Sequence, residues 1–336
     1  MPSRRTTNAD IVALVREHSR PRLGADVADG VGDVVARFLE AAGTDVRYRL
    51  ADDEKAVDVV LRAGRQALAE AGVAPRDVDL VVYTGVARGW IEPAMATVIQ
   101  AELGLERATS FDVLDACAGW LRALHVTHNH LRAGDHRVAL LVNCECGLYR
   151  AYADFAFDDP RDVEHRLASF TIGEAATATV VTADTPGDDA VFVFRTFPEH
   201  YRLCMLPLSA LADFEPALPD ARYVPDRLFS LSRPLLAAGI RRLIEVWDAT
   251  PELRARSHDL GFGHNPSEPA CALVARHLGF EDRYFPTHRA YGNTVSAALP
   301  LGMSVARAAG RLRRGDRVLL AVGSAGITVG FASLTF

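Results

Sequence analysis

Lysine is almost missing from this 336-residue chain: Lys55 is the only one, and arginine carries nearly all the positive charge. Basic residues number 37 and acidic ones 43, a net charge of −6. That balance argues against a protein that holds nucleic acid by neutralising phosphates. Cysteine is sparse and odd in number: Cys117, Cys144, Cys146, Cys204 and Cys271. A chain this long buries a good core without covalent staples, so the expected setting is reducing and cytoplasmic rather than a disulfide framework. No stretch approaches the ~18 apolar residues of a membrane span. The opening MPSRRTTNADIV also lacks the apolar core of a secretion signal, so neither membrane insertion nor secretion is expected.

What is present is the composition of a folded soluble protein, 49% hydrophobic and 24% charged, with length for one large or two ordinary domains. Helical periodicity alternates with short β-branched runs. Val57 to Ala71 reads as a helix stopped by Gly72, and Val78 to Tyr83 as a buried strand. Trp120 to Leu131 is helical, Ala133-Gly134-Asp135 turns, and Arg137 to Val142 is a strand. Near the C-terminus the same sequence of signals returns: Leu301 to Leu312 helical, Gly315-Asp316 a turn, Arg317 to Val322 a strand. Residues 134–143 and 315–324 nearly superpose, which points to two similar α/β halves packed together. Asp184 to Asp226, with Pro186, Pro198, Pro207, Pro216, Pro219 and Pro225, reads as an irregular surface or lid connection. Asp154 to His165 reads as an acidic, solvated insertion.

The strongest local signal is Ser110 to Leu124. A strand runs into Ala116-Cys117-Ala118-Gly119 and then straight into a helix. Cys117 is thereby expected at a sharp turn beside the positive end of a helix dipole, where unpaired N–H groups lower a thiol pKa. A lone cysteine in such a place reads first as a buried structural residue. Three further segments change that reading: His264 in a turn after Leu260 to Gly263, Asn293 in the turn Gly292-Asn293-Thr294, and the small-residue loop Gly323-Ser324-Ala325-Gly326 between two last strands.

In this order the segments resemble the ketosynthase III type condensing enzymes of the thiolase superfamily. The resemblance spans nearly the whole chain, from TNADIV at Thr7 through DVLDACAG and FTIGEAATATVV to GNT at Gly292 and the closing glycine loop. The gap from His264 to Asn293 is close to the family's usual spacing, and the gap from Cys117 to His264 is longer. The resemblance implies an α/β thiolase-like fold: two halves, 1–184 with the nucleophilic cysteine and 185–336 with the histidine and asparagine. Each half would hold a mixed five-stranded sheet, stacked in five layers, αβαβα, and the enzyme would work as a homodimer.

The implied chemistry is acyl transfer through a covalent intermediate. Cys117 takes an acyl group from a coenzyme A or acyl carrier protein thioester, and the N–H groups of Cys117 and Ala325 hold the oxyanion. His264 and Asn293 both donate to the carbonyl of a malonyl-type or second acyl thioester that is condensed onto it, in specialised, polyketide-type metabolism. The phosphopantetheine thioesters are substrates; no cofactor or metal is implied. Two alternatives stay open: acyl transfer to an alcohol or amine with His264 as base, and a non-catalytic subunit of a heterodimer.

Departures from the family pattern bear on the reaction. The histidine string reads His264-Asn265-Pro266-Ser267-Glu268-Pro269, so Pro269 stands where a carrier-docking arginine is usual. That leaves Arg233, Arg241, Arg242, Arg254 or Arg256 as candidate contacts. The family's first strand is shortened or missing. Glu92 occupies a position that is bulky and apolar in the fatty-acid enzymes and reaches the partner's acyl pocket. In a related branch that joins two acyl thioesters without decarboxylation, a glutamate there is the base. Gly323 and Ser324 are small and suit a widened pocket. Cys144-Glu145-Cys146 lacks a second ligand pair for zinc and reads as a core strand end.

Overall fold

The computed structural model describes residues 1–183, 189–208 and 224–336. The first half runs β1 (Arg4–Thr7), α1 (Asn8–Leu23), α2 (Ala25–Ala42), β2 (Val46–Arg49), α3 (Ala56–Ala71), β3 (Leu80–Thr84), α4 (Met95–Leu103), β4 (Thr109–Val113), α5 (Gly119–Ala133), β5 (Val138–Cys144), α6 (Leu148–Tyr152), α7 (Val163–Thr171) and β6 (Ala176–Thr182). The second continues with β7 (Val191–Thr196), β8 (Cys204–Met205), β9 (Phe229–Ser230), α8 (Ser232–Asp248), α9 (Pro251–Arg254), β10 (Leu260–Gly263), α10 (Glu268–His277), α11 (His288–Tyr291), α12 (Ala298–Ala308), β11 (Arg317–Ser324) and β12 (Thr328–Thr335). The boundary placed at residue 184 lies outside the described residues, as do Pro186, Pro216 and Pro219.

Two mixed sheets organise the chain, in the orders β4-β3-β5-β6 and β10-β11-β12-β7. β5 is parallel to β3 and antiparallel to β6, and β11 is parallel to β10 and antiparallel to β12. The segments that repeat in sequence thus hold equivalent central places. Strand alternation sorts the side chains by face. Leu80 and Val82 of β3 pack with Trp120, Leu121 and Leu124 of α5, and Val318, Leu320 and Val322 of β11 join the same central core. Val81 and Tyr83 turn the other way, onto α3 and α4. Leu319 and Ala321 turn onto α8. The order is therefore helices, sheet, helices, sheet, helices, the thiolase-like α/β arrangement.

Three expectations are corrected. Each main sheet has four strands among the described residues, not five; the short β1 pairs antiparallel with β2, and β8 with β9, in separate ribbons. The stretch expected to be an irregular connection contains β7, which lines the edge of the second sheet beside β12. The 154–165 insertion is not simply solvated: Phe157 is fully buried with Tyr149 and Phe170 against α1 and α2. Its acidic residues face outward, where Asp154 meets Arg166 and Arg227.

Candidate active site

β4 ends at Val113, and the chain reverses through Ala116, which holds φ 43°. A left-handed conformation is costly for a residue with a Cβ and is kept only where the surroundings enforce it. Here it throws Cys117 into a single 3-10 turn, Ala116–Ala118, ahead of α5. Gly119 lets this elbow approach β3, since a Cβ there would lie 2.5 Å from Thr84 Oγ1.

Cys117 opens onto a cavity of about 1010 Å³ that His264, Asn293 and Ala325 also line. The N–H groups of Cys117 and Ala325 are both directed at its sulfur and favour the thiolate. They do not prevail. Burial pushes the thiol pKa well up, and the neighbouring Cys204 and Glu145 add to it. The expected lowering does not hold: desolvation outweighs the two N–H groups and keeps the Cys117 pKa above the ordinary thiol range.

β10 carries the chain to His264, whose own N–H donates to the Ala321 carbonyl at 2.9 Å. Its Nδ1 lies 2.9 Å from the Gly323 carbonyl oxygen and its Nε2 lies 3.2 Å from Asn293 Oδ1. That Oδ1 also accepts the Val295 N–H at 3.0 Å. Oxygen at both ring nitrogens suits a doubly protonated ring, yet burial pulls the pKa down to about 4, so the resting ring is neutral. Assigning its one proton to the shorter contact makes Nδ1–H the donor to Gly323 and leaves Nε2 a lone pair. The expectation that both side chains donate to a carbonyl is thereby refined. Asn293 Nδ2 is always a donor, whereas His264 Nε2 donates only after it has taken a proton. Asn293 itself is pinned by its backbone, its N–H donating to Thr171 and its carbonyl accepting from Gly173.

Glu92 is exposed and is not among the described residues that line this chain's own cavity. Trp90, Ile91 and Leu114 are 41%, 63% and 60% exposed; Leu114 follows β4, the outermost strand of the first sheet, and the loop carrying Trp90 and Ile91 is tied to β4 where Arg88 and the Met95 N–H meet Asp112. Of the candidate docking arginines, Arg242 pairs with Glu199 and Glu245, Arg256 pairs with Asp189, and Arg254 donates to the Asp248 carbonyl. Arg241 is exposed, and Arg233 is exposed at the lining of the cavity together with Arg37. Pro269 sits in the first turn of α10, capped by Ser267.

Three residues of the site escape sequence reading. Cys204 and Cys271 share the cavity with Cys117. Glu145, fully buried at the end of β5, accepts hydrogen bonds from the segments carrying Val86 and Ser296. Its signal was a carboxylate inside an otherwise apolar strand end. Cys144 and Cys146 beside it are buried and unpaired, and no group of three metal-ligating side chains occurs among the described residues. No described helix is long and apolar enough to cross a membrane.

Residues 111–196 match the 3-oxoacyl-(acyl-carrier-protein) synthase III family, and residues 250–336 match that family's C-terminal part. A beta-ketoacyl-(acyl-carrier-protein) synthase III of Rhizorhabdus wittichii is 26% identical over 337 residues, covering 100% of this chain and 96% of the relative. Its namesake in Rhodospirillum centenum is 27% identical, covering 99% and 95%. The fold is shared with OleA of Xanthomonas campestris at a TM-score of 0.81, covering 100% of this chain, in two structures 21% and 23% identical. One is of a variant with a glutamate replaced by alanine; the other, with a cysteine replaced by serine, has lauric acid and lauroyl-CoA bound.

Proposed function

We propose, from the premise that this chain belongs to the 3-oxoacyl-(acyl-carrier-protein) synthase III family of thiolase-like condensing enzymes, that it joins two thioesters through an acyl group carried on Cys117. The observation that carries the proposal is the common cavity onto which Cys117, His264, Asn293 and Ala325 open.

In the loading step the Cys117 proton passes to His264 Nε2, and the thiolate attacks the acyl carbonyl of a coenzyme A or carrier-protein thioester. The oxyanion takes the N–H groups of Cys117 and Ala325. Collapse releases the carrier thiol, which recovers the proton. In the second step Asn293 Nδ2 holds the carbonyl of a malonyl-type thioester. Loss of CO₂ leaves an enolate, whose carbon attacks the acyl-Cys117 carbonyl; the bond from that carbon to sulfur breaks, and the released thiolate takes one proton from water. Coenzyme A or carrier phosphopantetheine enters as part of the substrate, with Arg37 and Arg233 available to its phosphates, and no separate cofactor takes part.

The cavity lies at the top of the size range that encloses whole small molecules, which favours medium or long acyl donors. The lauroyl ligand of the OleA structure points the same way. Specialised, polyketide-type metabolism in the cytoplasm is the setting we favour, because the histidine string departs from that of the fatty-acid initiation enzymes and the cysteines are free.

A second reading concerns the nucleophile. The exposed Trp90, Ile91 and Leu114 beside edge strand β4 suit a homodimer in which Glu92 of one subunit enters the other's cavity. There it would deprotonate a second acyl thioester, with no CO₂ lost. Intact-protein mass spectrometry with a panel of acyl thioesters tests the common step: an acyl-sized gain is expected, absent in Cys117→Ala. No gain with any donor overturns the proposal. CO₂ release from malonyl thioesters separates the two nucleophiles, and turnover unchanged in Glu92→Gln with every substrate removes Glu92 from the reaction.

A further inference from the structure

Glu145 has no part in the loading and condensation steps, yet it is the most heavily bonded carboxylate at the site. It is fully buried at the end of β5. Its Oε2 accepts the N–H groups of Val86 at 3.0 Å and Ala87 at 3.3 Å, and its Oε1 accepts the Ser296 N–H at 3.3 Å and the Ser296 hydroxyl. Four donors fill the acceptor positions of one ionised carboxylate. Ser296 lies one residue beyond Val295, whose N–H is bonded to Asn293 Oδ1. Asn143 reinforces the same point from β5, its Nδ2 donating to Ser296 Oγ at 2.6 Å and to the Thr84 carbonyl at 3.2 Å. The carboxylate therefore ties a wall of the cavity at Val86, in the first half, to the turn that aims Asn293, in the second.

Burial pushes the Glu145 pKa up to about 7 against the pull of its four donors.

We propose that Glu145 is a positioning residue for condensation: it clamps the Asn293 turn to the Val86–Ala87 segment. This rests on Cys117 being the acyl carrier. Glu145→Gln keeps the shape but turns an N–H₂ group toward one pair of donors and so breaks one side of the clamp. Loading of Cys117 is expected to stay within about twofold of the wild type, while single-turnover condensation from the pre-loaded enzyme slows at least tenfold. Glu145→Asp keeps the acceptors and shortens the reach, and is expected to recover part of the condensation rate. A purely structural role would lower loading and condensation together.

Full condensation in both variants, or loading that falls as far as condensation does, overturns the proposal. Should Glu145→Gln not fold, Ser296→Ala reads the same clamp from the other side: condensation is expected to fall severalfold with loading intact, and unchanged condensation overturns the clamp. Failure of wild-type protein to accept any acyl group would instead refute Cys117 as the carrier.

Discussion

β5 and β11 repeat each other in sequence and in sheet position, yet they end in opposite ways. β5 runs into Asn143-Cys144-Glu145, all buried, with the two polar side chains bonded to neighbouring segments. β11 runs into Gly323-Ser324-Ala325, whose small side chains leave the backbone at the cavity, the Gly323 carbonyl on His264 and the Ala325 N–H on Cys117. One helix and strand unit thus serves two purposes. Its first copy closes the site from below with side chains, and its second lines the site with main chain. A duplicated scaffold needs no new fold to gain a reaction centre, only different residues at the end of the strand.

The sharpest way to break this contrast acts on the side that lines the cavity with main chain. His264→Ala removes the ring that Gly323 and Asn293 hold, and turnover is expected to fall at least a hundredfold, with loading slowed too because Nε2 no longer receives the Cys117 proton. Separate assays of acyl-enzyme formation and product release would show it, and loading at the wild-type rate would exclude that proton path. On the closed side, Asn143→Ala strips the Thr84 carbonyl and the Ser296 hydroxyl of a buried donor. A stability loss of about 1–3 kcal/mol is expected, read from the shift of the urea midpoint, with Cys117 still acylated by the same donors. Selective loss of acylation without destabilisation would erase the distinction between the two ends. The smallest effect is expected from Gly323→Val. A Cβ there meets only Leu243, at 3.9 Å, so the fold should tolerate it. The added methyl groups narrow the pocket, and preference should shift a few-fold toward shorter acyl donors, measured by competition between two chain lengths.

Much of the scaffold was legible because its signals are local. Helix α3 matches the spacing of Val57 to Ala71 and stops at Gly72, which takes the left-handed conformation a C-cap requires. Cys117 was legible for the same reason: strand, small residues and helix succeed one another without a break. His264 and Asn293 were reached only through order and resemblance, since no local pattern says that two distant turns line one cavity with Cys117. Glu145 and Cys204 were beyond reach because their meaning lies in what closes around them. Phe157 misled in the other direction: its neighbours are acidic, and only α1 and α2, folded far upstream, give the ring somewhere to go. β7 did carry a signal, the aromatic and β-branched run at Val191 to Phe194, which the prolines around it obscured.

The resting state of Cys117 has a consequence for durability. Peroxides oxidise thiolates far faster than thiols, and desolvation pushes the thiol pKa values of Cys117, Cys204 and Cys271 up within the cavity they share. In the proposed mechanism the same desolvation would slow acylation and shield the idle protein from oxidative damage. Its vulnerable moment would then be the brief interval when the proton has left and no acyl group has yet covered the sulfur.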